Sequence, residues 1–167
     1  MTGRDWQNMC VRLPVVDSRQ KGARTETLAR DMLRKHTGLN WERVPGSGAL
    51  DPKHQLKGDI YVPGENNRFC VEVKGYADDH INSGLLTHKT PQLIEWWQQT
   101  QRQALQVDKL PLLIFKHDRS KLFVATVVFD DDALLEKRWL MYNADDYEFY
   151  IFLLEDWLNI STIKFVS

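Results

Sequence analysis

The chain has 167 residues, 43% of them hydrophobic and 27% charged, with a formal net charge of −1. That length and apolar content suit one domain with its own core, and the near-neutral charge does not by itself point to nucleic acid. No run is long enough to cross a membrane, five His and two Cys (Cys10 and Cys70) lack metal-ligand spacing and so argue against a structural zinc, and separated cysteines without an apolar signal segment fit a reducing cytosol.

Charge is unevenly placed along the chain. Residues 1–90 carry 14 Lys/Arg against 11 Asp/Glu, residues 91–167 carry 8 against 12, and the first 35 alone carry 8 against 4. A basic N-terminal region suits a phosphate-rich substrate, although a solvated basic helix is the commoner origin of such a cluster. Residues 1–17 show little periodicity and read as an arm. Residues 18–36 are helix-forming and end before Gly38. On that helical wheel Glu26 falls near Ala29 and Leu33, on or beside the inward face; its ordinary role would be an i,i+4 pair with Arg30. Residues 41–44 read as a strand. The loop 45–57, punctuated by Gly and Pro and basic in character, leads into Asp59. Loops of this length are often functional, but without a lysine-serine phosphate loop this one is not a nucleotide cradle.

Two β-rich runs follow, 58–62 and 68–76, separated by a Pro/Gly/Asn break that predicts a hairpin. Alternation along the second run sends Phe69, Val71 and Val73 to one face and Cys70, Glu72 and Lys74 to the other. Pairing of the two runs would set Asp59 across from Glu72 and Lys74. Two carboxylates and a lysine are a minimum set for a hard divalent cation with a positioned water. Alternation alone is explained equally well by a strand with one wet face.

Residues 77–90 form a polar connection, and Pro91 opens a helix over 92–105 with Ile94, Trp97, Ala104 and Leu105 as its apolar stripe. Residues 110–116 and 121–129 read as strands around a turn at 117–120. Residues 130–146 are acidic and read as partly helical, 147–153 as a last strand and 154–159 as a short helix. The order predicts a central mixed sheet with helices against it.

Asp59, a gap of twelve residues and then Glu72-Val73-Lys74 resembles the core of the PD-(D/E)xK nucleases. Within that superfamily the chain is most similar to the archaeal and phage Holliday-junction resolvases. The resemblance rests on Lys21-Gly22 before Glu26, Arg43 before Gly46-Ser47-Gly48, Gly58-Asp59, Val71-Glu72-Val73-Lys74, Gln92 at the head of the second long helix, and Pro111 before 112–115. It covers residues 18–128 and leaves 129–167 as a C-terminal extension of a single nuclease domain, 18–167. Gly58 stands where the pattern has Pro, and the loop 50–57 is longer than usual.

The resemblance implies an α/β (α+β), restriction-endonuclease-like fold, a central mixed β-sheet flanked by helices. It implies a metal-dependent DNA endonuclease, with Mg²⁺ (Mn²⁺ able to substitute) held by Asp59, Glu72 and the Val73 carbonyl. Glu26 would support a second ion or an ordered water, and Lys74 would orient or deprotonate the attacking water, leaving a 5′ phosphate and a 3′ hydroxyl. Arg19, Lys21, Arg24 and Arg43 would hold backbone phosphates, with Ser47 and Gln92 as supporting groups. The implied partners are branched DNA, a four-way junction in recombination or repair, and a second copy of the chain, in the cytoplasm of a bacterial, archaeal or phage-infected cell. Trp96 or Trp97 and the run Tyr147, Phe149, Tyr150, Phe152 exceed what one small core needs and are candidates for the dimer contact, core packing being their ordinary role. A sequence-reading restriction-type enzyme and a single-strand or repair nuclease are the alternatives. A non-catalytic DNA-binding module is a third, against which the intact Asp59, Glu72 and Lys74 set argues.

Overall fold

The computed structural model describes residues 17–45 and 56–167. Most of the expected arm and of the long loop, including Cys10, Gly46, Ser47 and Gly48, therefore lie outside the described residues.

Helix α1 (Ser18–Thr37) has both of its ends written in the sequence. The Asp17 carboxylate accepts the Arg19 N–H at 3.0 Å, and Gly38 takes the left-handed conformation (φ 70°) in which its N–H reaches the Arg34 carbonyl, a glycine cap that other residues adopt at a cost. Strands β1 (Glu42–Arg43), β2 (Ile60–Tyr61) and β3 (Phe69–Tyr76) follow, then α2 (Gly84–Thr87), α3 (Gln92–Gln106), β4 (Leu110–His117) and β5 (Phe123–Thr126). Helix α4 (Asp131–Glu136), β6 (Trp139–Ala144), β7 (Tyr147–Leu153) and α5 (Leu154–Leu158) complete the chain. The strands make one mixed sheet in the order β1-β2-β3-β4-β5-β7-β6, with β3 and β4 parallel and every other pair antiparallel. A parallel pair needs a crossover connection, and α3 supplies it. The expected central mixed sheet flanked by helices is the observed architecture.

Both faces of the sheet are covered. On one, Ala29 and Leu33 of α1 and Leu154 and Trp157 of α5 pack on Val71, Val73, Leu112, Ile114, Val124 and Phe152. On the other, Leu93, Ile94, Trp96 and Trp97 of α3 pack on Leu113, Phe115, Ala125, Phe149 and Ile151. Leu112 and Ile114 face one core and Leu113 and Phe115 the other, so the continuous apolar run 112–115 is a strand buried on both faces. Among the described residues, no helix is long and apolar enough to cross a membrane.

Several local expectations are corrected. The segment 130–146 holds a strand as well as a helix: β6 pairs with β7 through a two-residue turn, Asp145-Asp146, with both residues at positive φ. Acidic turn residues that tolerate this conformation closed a hairpin where their charge had suggested helix. Leu105, assigned to the apolar stripe of α3, is 83% exposed in the last turn of the helix, where Ala104 is the buried residue instead. Trp96, Trp97, Phe149 and Phe152 are buried in the two cores, with Trp97 stacked on Phe149 at 4.5 Å, so they offer no surface for a dimer. Tyr147 is partly buried and accepts a hydrogen bond from Gln98 at 2.7 Å.

Gly75 sets how closely α1 lies on β3. A Cβ at that position would fall 2.1 Å from Thr25 Oγ1 and 2.9 Å from its Cβ. Gly75→Ala should therefore destabilise the fold by about 1–3 kcal/mol in urea titrations, the usual penalty of overpacking. Adding Thr25→Ala, which removes the clashing atoms, should recover part of the loss. Purely additive costs in this cycle would show that the two residues do not press on each other.

Candidate active site

Asp59 is held on three sides. Its N–H donates to the Val71 carbonyl at 2.7 Å, its C=O accepts from the Val44 N–H at 2.8 Å, and its Oδ2 accepts from the Val73 N–H at 2.7 Å. The chain reaches this position through Gly58, at φ 87°, where a Cβ would lie 2.5 Å from the Val71 carbonyl oxygen; only glycine fits there without displacement. A strand residue sends its N–H and C=O out on the same side, so the Val73 carbonyl opens toward Asp59 and away from β4.

Glu72 lies on the opposite face of β3 from Val71 and Val73, beneath α3, and is only 5% exposed. A wet sheet face is thereby ruled out as the reason for its charge. Its Oε1 accepts from Lys74 Nζ at 3.0 Å and from Gln99 Nε2 at 3.2 Å. Gln99 was not foreseen. The available signal was its place beside the buried stripe of α3, three residues after Trp96 and one turn before Gln103. Asp59 Oδ1 and Glu72 Oε2 have no hydrogen-bond partner among the described residues.

Burial raises the pKa of Asp59 from its ordinary 3.8 to about 7, helped by the negative charges of Glu72 and Glu26 and opposed by the Val73 N–H and Lys74. Burial also raises Glu72, and Lys74 acts against it. Two carboxylates that resist ionisation side by side are what a divalent cation would relieve. Two carboxylates and a main-chain carbonyl are hard oxygen donors, few enough to leave coordination positions for water; the residues present fit such an ion. Among the described residues, no cluster of three or more His, Cys, Asp or Glu forms a self-sufficient cage.

Glu26 does not pair with Arg30, whose guanidinium turns to Asp31 at 2.9 Å. Glu26 Oε2 instead accepts both Nε and an Nη of Arg43 at 2.7 Å. The reason is geometric: β1 runs beside α1, and Arg43 presents two parallel donors where Arg30 offers an exposed contact on its own helix. Arg43 is thus tied to the rim of the site. Lys21 and Arg24 line an open groove of about 850 Å³ that continues past Lys74 between α1 and the ends of β3 and β4, together with Tyr76, Lys116, His117 and Asp118. Lys21 is paired with Asp118 at 2.6 Å. Arg19 is not among the groove's lining residues. Gln92 bonds to Glu95 at 2.9 Å in the first turn of α3, with no contact to the carboxylates. The structure therefore brings Asp59, Glu72, Val73, Lys74 and Glu26 together, with Lys21, Arg24 and Arg43 around them, and leaves Arg19 and Gln92 outside.

Comparison with known proteins gives a family, one similar protein and one similar solved structure. Residues 17–167 match the model of a family described as "Phage putative PDDEXK endonuclease". Protein D14 of Escherichia phage T5 is 45% identical over 154 residues, covering 89% of this chain and 96% of that protein. The solved structure of Hjc, a Holliday junction resolvase from Archaeoglobus fulgidus, aligns over 82% of this chain and 87% of its own at 14% identity and a TM-score of 0.39.

The raised Asp59 pKa has a sign that can be measured. A carboxyl whose folded value lies above its unfolded one contributes stability at low pH and loses it as pH rises through the folded value. Without metal, the melting temperature should fall between about pH 4 and pH 7. Asp59→Asn should flatten that fall and stabilise the metal-free protein at pH 8 by on the order of 1–2 kcal/mol, less than an isolated shift of this size implies because Glu72 shares the burden. An Asp59→Asn protein no more stable than the wild type at pH 8 would contradict the buried-pair account.

Proposed function

The chain belongs to the phage PDDEXK endonuclease family, and we propose that it is a Mg²⁺-dependent endodeoxyribonuclease acting as a homodimer on branched DNA, four-way junctions above all, in recombination or repair in the infected cell. The observation that best supports the chemistry is the clamped pair: Asp59 fixed by the Val73 N–H and Glu72 buried beneath α3, with Lys74 in contact. A divalent ion, which PD-(D/E)xK nucleases generally use, would make a water acidic enough to attack near neutral pH and offset charge on the phosphoryl oxygens.

Each residue then has a task. Asp59, Glu72 and the Val73 carbonyl hold the ion, and Gln99 keeps the Glu72 carboxylate in place through Oε1. Lys74 orients the attacking water and donates to a phosphoryl oxygen as its charge grows. Glu26, turned toward the site from α1 and steadied by Arg43, supports a second ion or an ordered water. Lys21, Arg24 and Lys116 along the groove hold backbone phosphates, which fixes the substrate without reading its sequence. The junction part of the reading rests on the resolvase-like spacing from Lys21-Gly22 to Pro111. One site per chain cannot cut two symmetric strands at once, so a two-fold pair is the simplest assembly that places two sites correctly.

Labelled four-way junction, flap, single-stranded and linear duplex DNA, incubated with Mg²⁺, Mn²⁺ or chelator, separate the parts. The junction should be cut with either ion and left intact with chelator. Asp59→Asn, Glu72→Gln and Lys74→Ala should each lower the rate by about 10²–10³ or more while junction binding persists. Full activity of Glu72→Gln would sink the site assignment. Equal cutting of junction and duplex would leave a nuclease and remove the junction preference. Glu26→Gln should slow cleavage and raise the Mg²⁺ concentration required; a change in melting temperature alone would assign Glu26 to structure.

A further inference from the structure

We propose that two copies of the chain pair through the outer edge of β6, extending the sheet across a two-fold axis at Met141. This deepens the dimeric part of the function proposed above and is independent of its chemistry. Strand β6 is last in the sheet order, bonded to β7 on one side and to no other strand among the described residues. Natural sheets protect such edges with short strands, charges or proline. The opposite edge follows that rule, since β1 has two residues, Glu42 and Arg43. Strand β6 does not: Trp139-Leu140-Met141-Tyr142-Asn143-Ala144 is six residues long and holds no charge, Pro or Gly. Trp139, Leu140 and Met141 are 39%, 53% and 48% exposed.

The hairpin fixes which backbone groups of β6 face outward. In a two-residue turn of this kind the flanking pair, here Ala144 and Tyr147, exchanges both backbone hydrogen bonds. Ala144, Tyr142 and Leu140 therefore turn their N–H and C=O groups to β7, while Asn143, Met141 and Trp139 turn theirs outward. An antiparallel pair across a two-fold axis at Met141 sets Met141 against the second copy's Met141 and Trp139 against its Asn143, so the outward groups of both strands meet.

Charge favours a second copy over an unrelated strand. Basic Lys137 and Arg138 precede β6, and acidic Asp145 and Asp146 follow it. None of the four is in an ion pair among the described residues. Antiparallel self-pairing brings the basic end of each copy to the acidic turn of the other, twice by symmetry, so the edge is complementary to itself.

Sedimentation equilibrium of the full chain at about 1–100 μM (the range of moderate protein association) should show a dimer. Lys137→Glu with Arg138→Glu makes both ends acidic and should weaken the dimer about tenfold or more, with an unchanged melting profile for the monomer. Met141→Cys, in a Cys10→Ser background, should give a disulfide-linked dimer on mild oxidation, because a hydrogen-bonded pair places Cα atoms about 5.5 Å apart, within disulfide range. Leu140→Cys, set against Tyr142 of the second copy, should crosslink far more slowly. A chain that stays monomeric at 100 μM overturns the proposal, as does a dimer that ignores the charge reversal and does not crosslink at Met141. Metal-dependent DNA cleavage by a monomer would leave the nuclease reading standing and remove this one; a β6-paired dimer that cuts no DNA would do the reverse.

Discussion

The hydrogen bond from the Val73 N–H to Asp59 Oδ2 joins the residue before β2 to the middle of β3, and most of the site depends on it. Strand β2 is two residues long and its register with β3 is a single pair, Ile60 with Val71. So short a strand would leave Asp59 loosely placed if the ladder alone held it. The side-chain bond extends the pairing by one step, using a carboxylate oxygen where the next strand residue would have offered a carbonyl. It satisfies a main-chain donor in the interior and at the same time fixes one oxygen of Asp59, which leaves the other without a hydrogen-bond partner among the described residues.

The burial of Glu72 follows from topology. Strands β3 and β4 are parallel, and a parallel pair requires a crossover that lays a helix over the sheet. Helix α3 is that crossover, and the face of β3 that carries Cys70 and Glu72 lies under it. A carboxylate so placed must be paired or hydrogen-bonded, and Lys74 and Gln99 both bond its Oε1. The second oxygen and the raised pKa of both acids are the residual cost, and it is concentrated at one place where a cation would remove it. Carboxylates whose pKa is raised by burial and by one another make this place the candidate functional site.

How far the sequence could be read depended on whether the signal was local. The ends of α1 were legible because Asp17 and Gly38 act on their own neighbours, and the faces of β3 because alternation is a property of the strand itself. Asp59 opposite Glu72 was legible because a short break joins the two runs. Gln99 was not, since the contact spans 27 residues and depends on the angle at which α3 crosses the sheet. The partner of Glu26 was misread for the same reason: Arg30 is near in sequence, while Arg43 becomes near only when β1 docks beside α1. Strand β6 was hidden by its flanking charges, which read as an acidic helix until Asp145 and Asp146 are seen as turn residues with positive φ.

The uneven charge of the chain also acquires a spatial meaning. The basic residues of the N-terminal third are not spread over a solvated helix face alone: Lys21 and Arg24 of α1 meet Lys74 of β3 and Lys116 of β4 along one groove. The acidic surplus of residues 91–167 includes the Asp145-Asp146 turn, which joins β6 and β7 at the far side of the sheet order, beyond β5. A phosphate backbone would meet its attraction along the groove, where the basic side chains are gathered. A net charge of −1 therefore does not weigh against a phosphate-rich substrate, because the field that would steer one depends on where charges sit and not on their sum.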